Sequence, residues 1–161
     1  RGMIAERAQA LGREVSAEEV EYVTWRSAES GKNKSAVEYI QAVQTIHRTS
    51  RQVAPFFESH DILLSPVLLQ PPVPLGFLDT QSKDVRTYVQ HLFSFFGFTG
   101  LFNATGQPSM SVPLYWTPDQ LPVGLLFSAR CGAEAMLFRL AAQLEQARPW
   151  NDRRPIRPTK G

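Results

Sequence analysis

Residues 109–129 read SMSVPLYWTPDQLPVGLLFSA, and this stretch decides the fold class. Two largely apolar runs, residues 109–115 and residues 122–129, are separated by a turn-forming segment at residues 117–121. Short apolar runs bounded by turn residues are typical of β-strands. The sequence therefore predicts two strands that form either a hairpin or neighbours in a larger sheet.

Elements on either side of this pair complete an α/β pattern. Upstream, the run Asp61-Ile62-Leu63-Leu64-Ser65-Pro66 is apolar and closed by proline, which predicts a buried strand. Residues 66–83 are rich in proline, which lacks an amide donor, so we expect an extended surface loop there. Downstream, residues 132–147 place apolar side chains on one face at helical spacing and predict a helix.

Helical patterns fill the first part of the chain. Residues 3–11 have helical spacing and end before Gly12. The sequence Ser16-Ala17-Glu18-Glu19 is typical of a capping box and predicts a helix that ends near Gly31. A second capping box, Ser35-Ala36-Val37-Glu38, predicts a long helix over residues 36–58.

Phenylalanines cluster around the end of another predicted helix, which runs from Val85 to Phe96 after the capping residue Asp84. The cluster comprises Phe93, Phe95, Phe96, Phe98 and Phe102. Such a stripe more often packs into a core than lines a ligand pocket, so we expect only part of it to be pocket. Residues 103–108 contain a glycosylation sequon, but a turn with a turn-forming asparagine is the favoured interpretation.

Length and composition favour one soluble globular domain. The chain has 161 residues, 43% of them hydrophobic, with a net charge of +2 that is too small for a nucleic-acid platform. We expect a single domain over residues 1–161. Within it, residues 1–60 are mainly helical, residues 61–129 hold strands, loops and one helix, residues 130–147 form a helix, and residues 148–161 form an extended tail containing Arg153, Arg154, Arg157 and Lys160.

The reactive side chains have ordinary structural interpretations. His47, His60 and His91 are not at metal-ligand spacing with other ligands, so we expect no metal site and no cofactor. Cys131 is the one cysteine, and we expect its small side chain to be buried in the core. A lone thiol and the absence of a long apolar run favour a cytoplasmic location with no membrane association.

From Tyr39 onward, the order of segments resembles the C-terminal part of the amidase signature family. The resemblance rests on residues 56–66 (FFESHDILLSP), residues 102–113 (FNATGQPSMSVP), residues 121–125 (LPVGL) and Arg148-Pro149-Trp150. It implies an α/β fold with a mixed β-sheet flanked by helices. It also implies hydrolysis of a carboxamide through a serine acyl-enzyme, with a lysine base, a relaying serine and a nucleophilic serine.

The sequence departs from this family at the catalytic residues. Its lysines are Lys32, Lys34, Lys83 and Lys160, and it has no adjacent Ser-Ser or Gly-Gly pair. In the family those parts precede the matched region. The resemblance therefore implies a C-terminal segment without catalytic residues, inactive alone, whose partner is the remainder of the amidase chain. Exposed apolar surface on such a segment predicts a homo-oligomer.

Within this region, we expect Phe102, Asn103 and Gly106 to border the substrate pocket, because ligand sites in α/β proteins favour strand ends and their loops. The alternative is that Asn103 and Gly106 only shape the turn. Residues 62–76 resemble the subgroup that hydrolyses cyclic aminohexanoate dimers. Two other functions stay open: the related subunit of a tRNA-dependent amidotransferase, which the near-neutral charge does not favour, and a non-catalytic interaction module.

Overall fold

The computed structural model describes residues 1–154. Its helices and strands occur in the order α1 Gly2–Leu11, α2 Tyr22–Ser30, α3 Ala36–Val53, α4 Phe56–Ser59, β1 Ile62–Pro66, α5 Val85–Phe95, α6 Thr99–Thr105, β2 Ser109–Trp116, β3 Pro122–Ala129 and α7 Glu134–Ala147. This is the predicted α/β fold. No helix among the described residues is long and apolar enough to cross a membrane.

The chain divides into two compact units. The first, the helical unit, contains Arg1–Arg48 and Val73–Phe95, and the second, the sheet unit, contains Thr49–Pro72 and the residues from Phe96 onward. The prediction of a single domain stays a prediction, and each unit is described by itself.

Capping residues fix the helix starts of the helical unit. At α3, the Ser35 amide donates to the Glu38 carboxylate at 2.8 Å, and the Glu38 amide donates to Ser35 Oγ at 3.1 Å. At α5, the Thr87 amide donates to the Asp84 carboxylate at 3.0 Å. Each of these bonds satisfies an amide that has no partner within the helix, which confirms both predicted starts.

Two predicted helices are shorter than expected. After the Ser16 box only one 3₁₀ turn forms, and Val20 is extended (φ −135°, ψ 159°), so α2 begins afresh at Tyr22. The long helix predicted over residues 36–58 ends at Val53 because Pro55 has no amide to continue the hydrogen-bond ladder. A separate single turn, α4, follows Pro55.

The predicted turn at residues 103–108 is the largest error of the sequence analysis. Residues 103–105 lie in α6, and the helix ends at Gly106, which is in the left-handed region at φ 75°. This helix of seven residues is too short to show a helical period, which is why the sequence pattern missed it. Gly100 also lies inside α6.

The sheet unit is built on a three-stranded antiparallel sheet with the order β1-β3-β2. The two predicted strands are confirmed, and of the two arrangements left open they form a hairpin within this sheet. Its register shifts between Val112 and Tyr115, beside Pro113, which has no amide to donate. Strand β1 pairs only with β3, and of its side chains only Ser65 is buried, so the prediction of a wholly buried strand is wrong.

Helix α7 covers one face of this sheet. The buried cluster comprises Val112, Phe127, Ala129, Ala133 and Leu137. Partly buried side chains that surround it include Met110, Leu140 and Trp150. The predicted apolar face of residues 132–147 therefore packs as expected, with the helix beginning at Glu134.

Two predictions near the chain's end need correction. Cys131 is exposed rather than buried, because it stands between the end of β3 and the start of α7. The tail after Arg148 is not simply extended: the Arg153 amide donates to the Trp150 carbonyl at 3.0 Å, which forms a turn. Arg157 and Lys160 lie outside the described residues.

The helical unit has no buried residue, although all of its residues are described. The apolar stripe predicted for α3 is exposed, with Val37 at 63%, Ile40 at 54% and Ile46 at 41%. On α5, Phe93 is 71% exposed. Amphipathic helices normally bury such stripes, so within residues 1–154 this unit presents exposed apolar surface.

The Ser35–Glu38 box predicts a pH-dependent helix start. Hydrogen bonds from the Ser35 amide, then from Lys34 and the Ser35 hydroxyl, lower the pKa of Glu38 from 4.5 to about 2. Because the folded-state pKa is the lower one, the stabilisation is complete above the ordinary pKa of 4.5 and is lost as the pH falls towards 2. Helical circular dichroism should therefore fall on acidification, and Glu38→Gln should reduce that fall, since glutamine still accepts but does not titrate.

The control is Glu6→Gln in α1, because the Glu6 carboxylate has no hydrogen bond to any of the described residues. It should leave the acid-induced change as in the unsubstituted chain. Equal acid profiles for Glu38→Gln and the unsubstituted chain would contradict the prediction.

Candidate functional site

Serine side chains cover the sheet face opposite α7. Antiparallel pairing places Ser65 and Ser111 on either side of Leu126, and Ser109 beside Ser128. Because side chains alternate along a strand, these residues share one face, which we call the serine face. It consists of Ser65, Ser109, Ser111, Ser128 and the central Leu126. The opposite face carries the buried apolar cluster under α7.

The hydroxyls of Ser65, Ser109 and Ser128 are satisfied by bonds within the sheet unit. Ser128 is 0% exposed, and its Oγ lies 2.7 Å from Ser109 Oγ. Ser65 is 7% exposed and donates to the Pro66 carbonyl at 3.3 Å. No buried side-chain polar atom of the described residues lacks a partner. The Ser109–Ser128 contact thus joins β2 to β3, and within residues 1–154 no serine of this face is hydrogen-bonded to a basic side chain that could activate it as a nucleophile.

A cavity of about 390 Å³ and another of about 370 Å³ open on this side of the sheet unit. The smaller, which we call the serine cavity, is lined by Thr99, Phe102, Asn103, Gln107, Ser109, Ser111 and Leu126. The larger, the proline cavity, is lined by residues 66–72 with Ser111, Pro122, Val123 and Gly124. Ser111 lines both cavities.

The structure brings two of the three predicted pocket residues together. Phe102, 4% exposed, and the exposed Asn103 both line the serine cavity. Gly106 does not line it. Instead Gly106 ends α6, where its amide donates to the Phe102 carbonyl at 2.9 Å. The alternative interpretation is that Gly106 and Asn103 only shape a turn. The position of Gly106 at the end of α6 is consistent with that alternative, whereas Asn103 lies inside the helix and forms no turn.

Sequence reasoning missed the polar residues that complete the serine cavity. These are Thr99, Gln107, Ser109 and Ser111. A signal for two of them was present, because Ser109 and Ser111 alternate with the apolar residues Met110 and Val112 along β2. Thr99 could not be placed without knowing that α6 exists.

The two cavities share a chemical character. Every side chain that lines either one is uncharged, with mostly hydroxyl and amide groups on the serine cavity and mostly apolar groups on the proline cavity. Hydroxyls and amides can both donate and accept, so they suit a neutral polar group such as a carboxamide. An ion would meet no opposite charge here.

A lysine and two serines meet elsewhere, in the helical unit. Lys83, Ser27 and Ser30 line a cavity of about 340 Å³. Both hydroxyls, however, donate back to helix carbonyls: Ser27 to Val23 at 2.8 Å and Ser30 to Ser27 at 2.8 Å. Neither hydroxyl is hydrogen-bonded to the lysine amine, so this group does not form the relay that activates a serine.

The histidines and acids form no metal centre in the described part of the chain, where no group of three or more His, Cys, Asp or Glu side chains could hold an ion. His91 stacks on Phe77 with ring centroids 4.2 Å apart and lies 3.2 Å from the Phe77 carbonyl through Nδ1. His60 stacks on Phe56 at 4.4 Å, and its Nδ1 is 3.0 Å from Ser59 Oγ. Both rings are held locally by aromatic contacts.

Comparison with known proteins identifies the family. The family model described as Amidase matches residues 4–138. The chain belongs to the amidase family. Its match to the amidase-family protein AmiC of Mycobacterium leprae is 38% identical over 110 residues, which is 68% of this chain and 23% of that protein.

Other relatives and solved structures agree with this family. The 6-aminohexanoate-cyclic-dimer hydrolase of Paenarthrobacter ureafaciens is 26% identical over 159 residues, covering 94% of this chain and 32% of that protein. A solved 6-aminohexanoate cyclic dimer hydrolase has the same fold, with a TM-score of 0.71 at 24% identity over 94% of this chain and 33% of that one. The chain thus spans a third or less of the length of these relatives.

Gly124, within the family-like run at residues 121–125, is required by close packing on the serine face. A Cβ added there would lie 2.7 Å from Ser111 Oγ and 2.9 Å from Val67 Cγ2. We expect Gly124→Ala to destabilise the sheet unit by about 1–3 kcal/mol because the Ser111 hydroxyl and the Val67 side chain must both shift to make room. Urea unfolding measures the change as a lower midpoint.

Gly100→Ala is the matched control, because nothing lies within 4 Å of its added Cβ and the residue is helical. It should be neutral or should stabilise by up to about 1 kcal/mol. Equal effects of the two substitutions would show that the atoms around Gly124 do not exclude a Cβ at this position.

Proposed function

We propose that this chain is the C-terminal segment of a carboxamide hydrolase, and that the serine and proline cavities form part of its pocket for a neutral small-molecule amide. The catalytic lysine and serines would come from the remainder of the amidase chain. The observation that carries the proposal is the family match over residues 4–138 in a chain that spans 23–32% of its relatives' length.

The chemistry of the two cavities supports this role. Their uncharged lining matches a neutral carboxamide, and Asn103, Gln107 and the serine hydroxyls could orient its N–H and C=O groups. The apolar proline cavity could hold the hydrocarbon part of the same substrate. Linear and cyclic amides both fit this description, and relatives include a hydrolase named for a cyclic dimer.

The surface of the helical unit also supports a segment that is completed by more protein. None of its residues is buried, and apolar side chains of α1, α3 and α5 are exposed. In the complete enzyme, the remainder of the amidase chain would cover this surface. Without that cover, the same surface should drive contact between copies of the segment.

The chain alone should not hydrolyse amides. Of the described lysines, Lys32 and Lys34 are ion-paired with Glu29 and Glu38, and Lys83 has no serine hydroxyl bonded to it. Without an activated nucleophile, the rate of amide hydrolysis should be several orders of magnitude lower than that of an enzyme that has one. The measurement is release of p-nitroaniline from a short-chain acyl p-nitroanilide, compared with a heat-denatured sample.

Turnover above that control would contradict the proposal. If it occurred, Lys83→Met and Ser30→Ala would locate the source. Loss of turnover in both would assign an active site to the helical unit, and Lys34→Met serves as the matched control because its amine is held by Glu38.

In isolation the segment should self-associate. Light scattering at micromolar concentration should give a mass well above the monomer's 18.1 kDa. Ile40→Glu should lower that mass, because it places a charge in the exposed apolar stripe of α3. Gln41→Glu, at the next and already polar position, is the control and should leave the mass unchanged. A monomer at this concentration would contradict the prediction without bearing on the absence of catalysis.

A further inference from the structure

A third cavity of the sheet unit differs from the serine and proline cavities in carrying charge. It has a volume of about 440 Å³, and its lining includes Arg51, Phe57, Thr105, Gln107, Arg130 and Cys131. Neither the family match nor the relatives' names assign it a role, and it does not depend on the proposed amidase function.

Two guanidinium groups give the cavity its charge. Arg51 lies in the last turn of α3, and Arg130 directly follows β3. Neither forms an ion pair with any carboxylate of the described residues. No acidic side chain lines the cavity. Two unpaired arginines beside one cavity favour an oxyanion, because a guanidinium donates in parallel to both oxygens of such a group.

Gln107 adds a neutral donor to the same cavity. Its Oε1 lies 2.8 Å from Thr105 Oγ1, whose single proton is shared with the Leu101 carbonyl at 3.0 Å. With the oxygen engaged in this way, the amide NH₂ is the group left to contact a ligand. The polar part of the cavity thus consists mainly of donors, which again selects an acceptor-rich ligand.

The remaining wall is apolar. Phe57 is 8% exposed, and its ring packs edge-on against Phe56 with centroids 5.1 Å apart. Inorganic ions would leave this surface unused, whereas an organic anion could place a short hydrocarbon chain against it. From these donors and this wall, we propose that the cavity binds an organic oxyanion, a carboxylate or phosphate with a short apolar chain, between Arg51 and Arg130.

Cys131 provides a reporter inside the cavity. It is exposed, its Sγ lies 3.9 Å from the Gly106 carbonyl, and it is the single cysteine of the sequence. The experiment measures the rate of Cys131 alkylation by iodoacetamide in the full chain as hexanoate is added at constant ionic strength. The bound anion should slow alkylation, and the readout is the hexanoate concentration that gives half of the maximal protection.

Arg51→Gln and Arg130→Gln should each raise the hexanoate concentration for half-maximal protection about tenfold or more, since each removes a charge-assisted hydrogen bond. The control Arg139→Gln, an exposed arginine of α7 that does not line the cavity, should leave it unchanged. Because half-protection is compared, a change in the basal reactivity of the thiol does not affect the result.

Further ligands test the two halves of the proposed chemistry. Hexylammonium should give no protection, and hexyl phosphate should protect like hexanoate. Inorganic phosphate should protect more weakly than either. Protection by hexylammonium, or unchanged half-protection in both arginine variants, would overturn the oxyanion site. Equal protection by inorganic phosphate and hexanoate would overturn the apolar part, and absence of protection by every anion would overturn the proposal as a whole.

Discussion

The central strand β3 is the constraint on which the sheet unit depends. Residues Leu126 to Ala129 are all buried, and β3 hydrogen-bonds to a neighbour along both edges. Successive side chains therefore serve opposite purposes: Phe127 and Ala129 join the apolar cluster under α7, while Leu126 and Ser128 belong to the serine face. A shift of one residue in register would exchange the two sets, placing buried serines under α7 and phenylalanine in the cavities.

The two units differ in how much they depend on other protein. The sheet unit has its own buried cluster, and the buried side-chain polar atoms of its described residues all have hydrogen-bond partners. The helical unit has well-formed caps but no buried side chain, so its local signals fix helices without fixing a core. Capping contributes about 1 kcal/mol at each start, far less than burial of several apolar side chains. This contrast is what membership of a family of longer chains leads one to expect.

The sequence analysis located elements whose signals are local and missed those that depend on distant contacts. Strands β2 and β3, the capped starts of α3 and α5, and the apolar face of α7 follow from periodicity and capping residues. The extent of α3 was overestimated because the apolar spacing continues past Pro55, whereas α6 was missed because its seven residues show no period. For the candidate site, Phe102 and Asn103 line the serine cavity, and their predicted place at a substrate pocket stays a prediction. Gln107 and Arg130 became visible only when the fold brought residues far apart in the chain to shared cavities.

The irregular pairing beside Pro113 has a consequence for solubility. A three-stranded sheet has two outer strands whose free backbone groups can recruit further strands, which is the first step towards fibrils. On β2 the register shift beside Pro113 interrupts the regular row of donors and acceptors that such recruitment requires. The segment can thus present apolar helix surface to other copies while this sheet edge resists amyloid-like stacking.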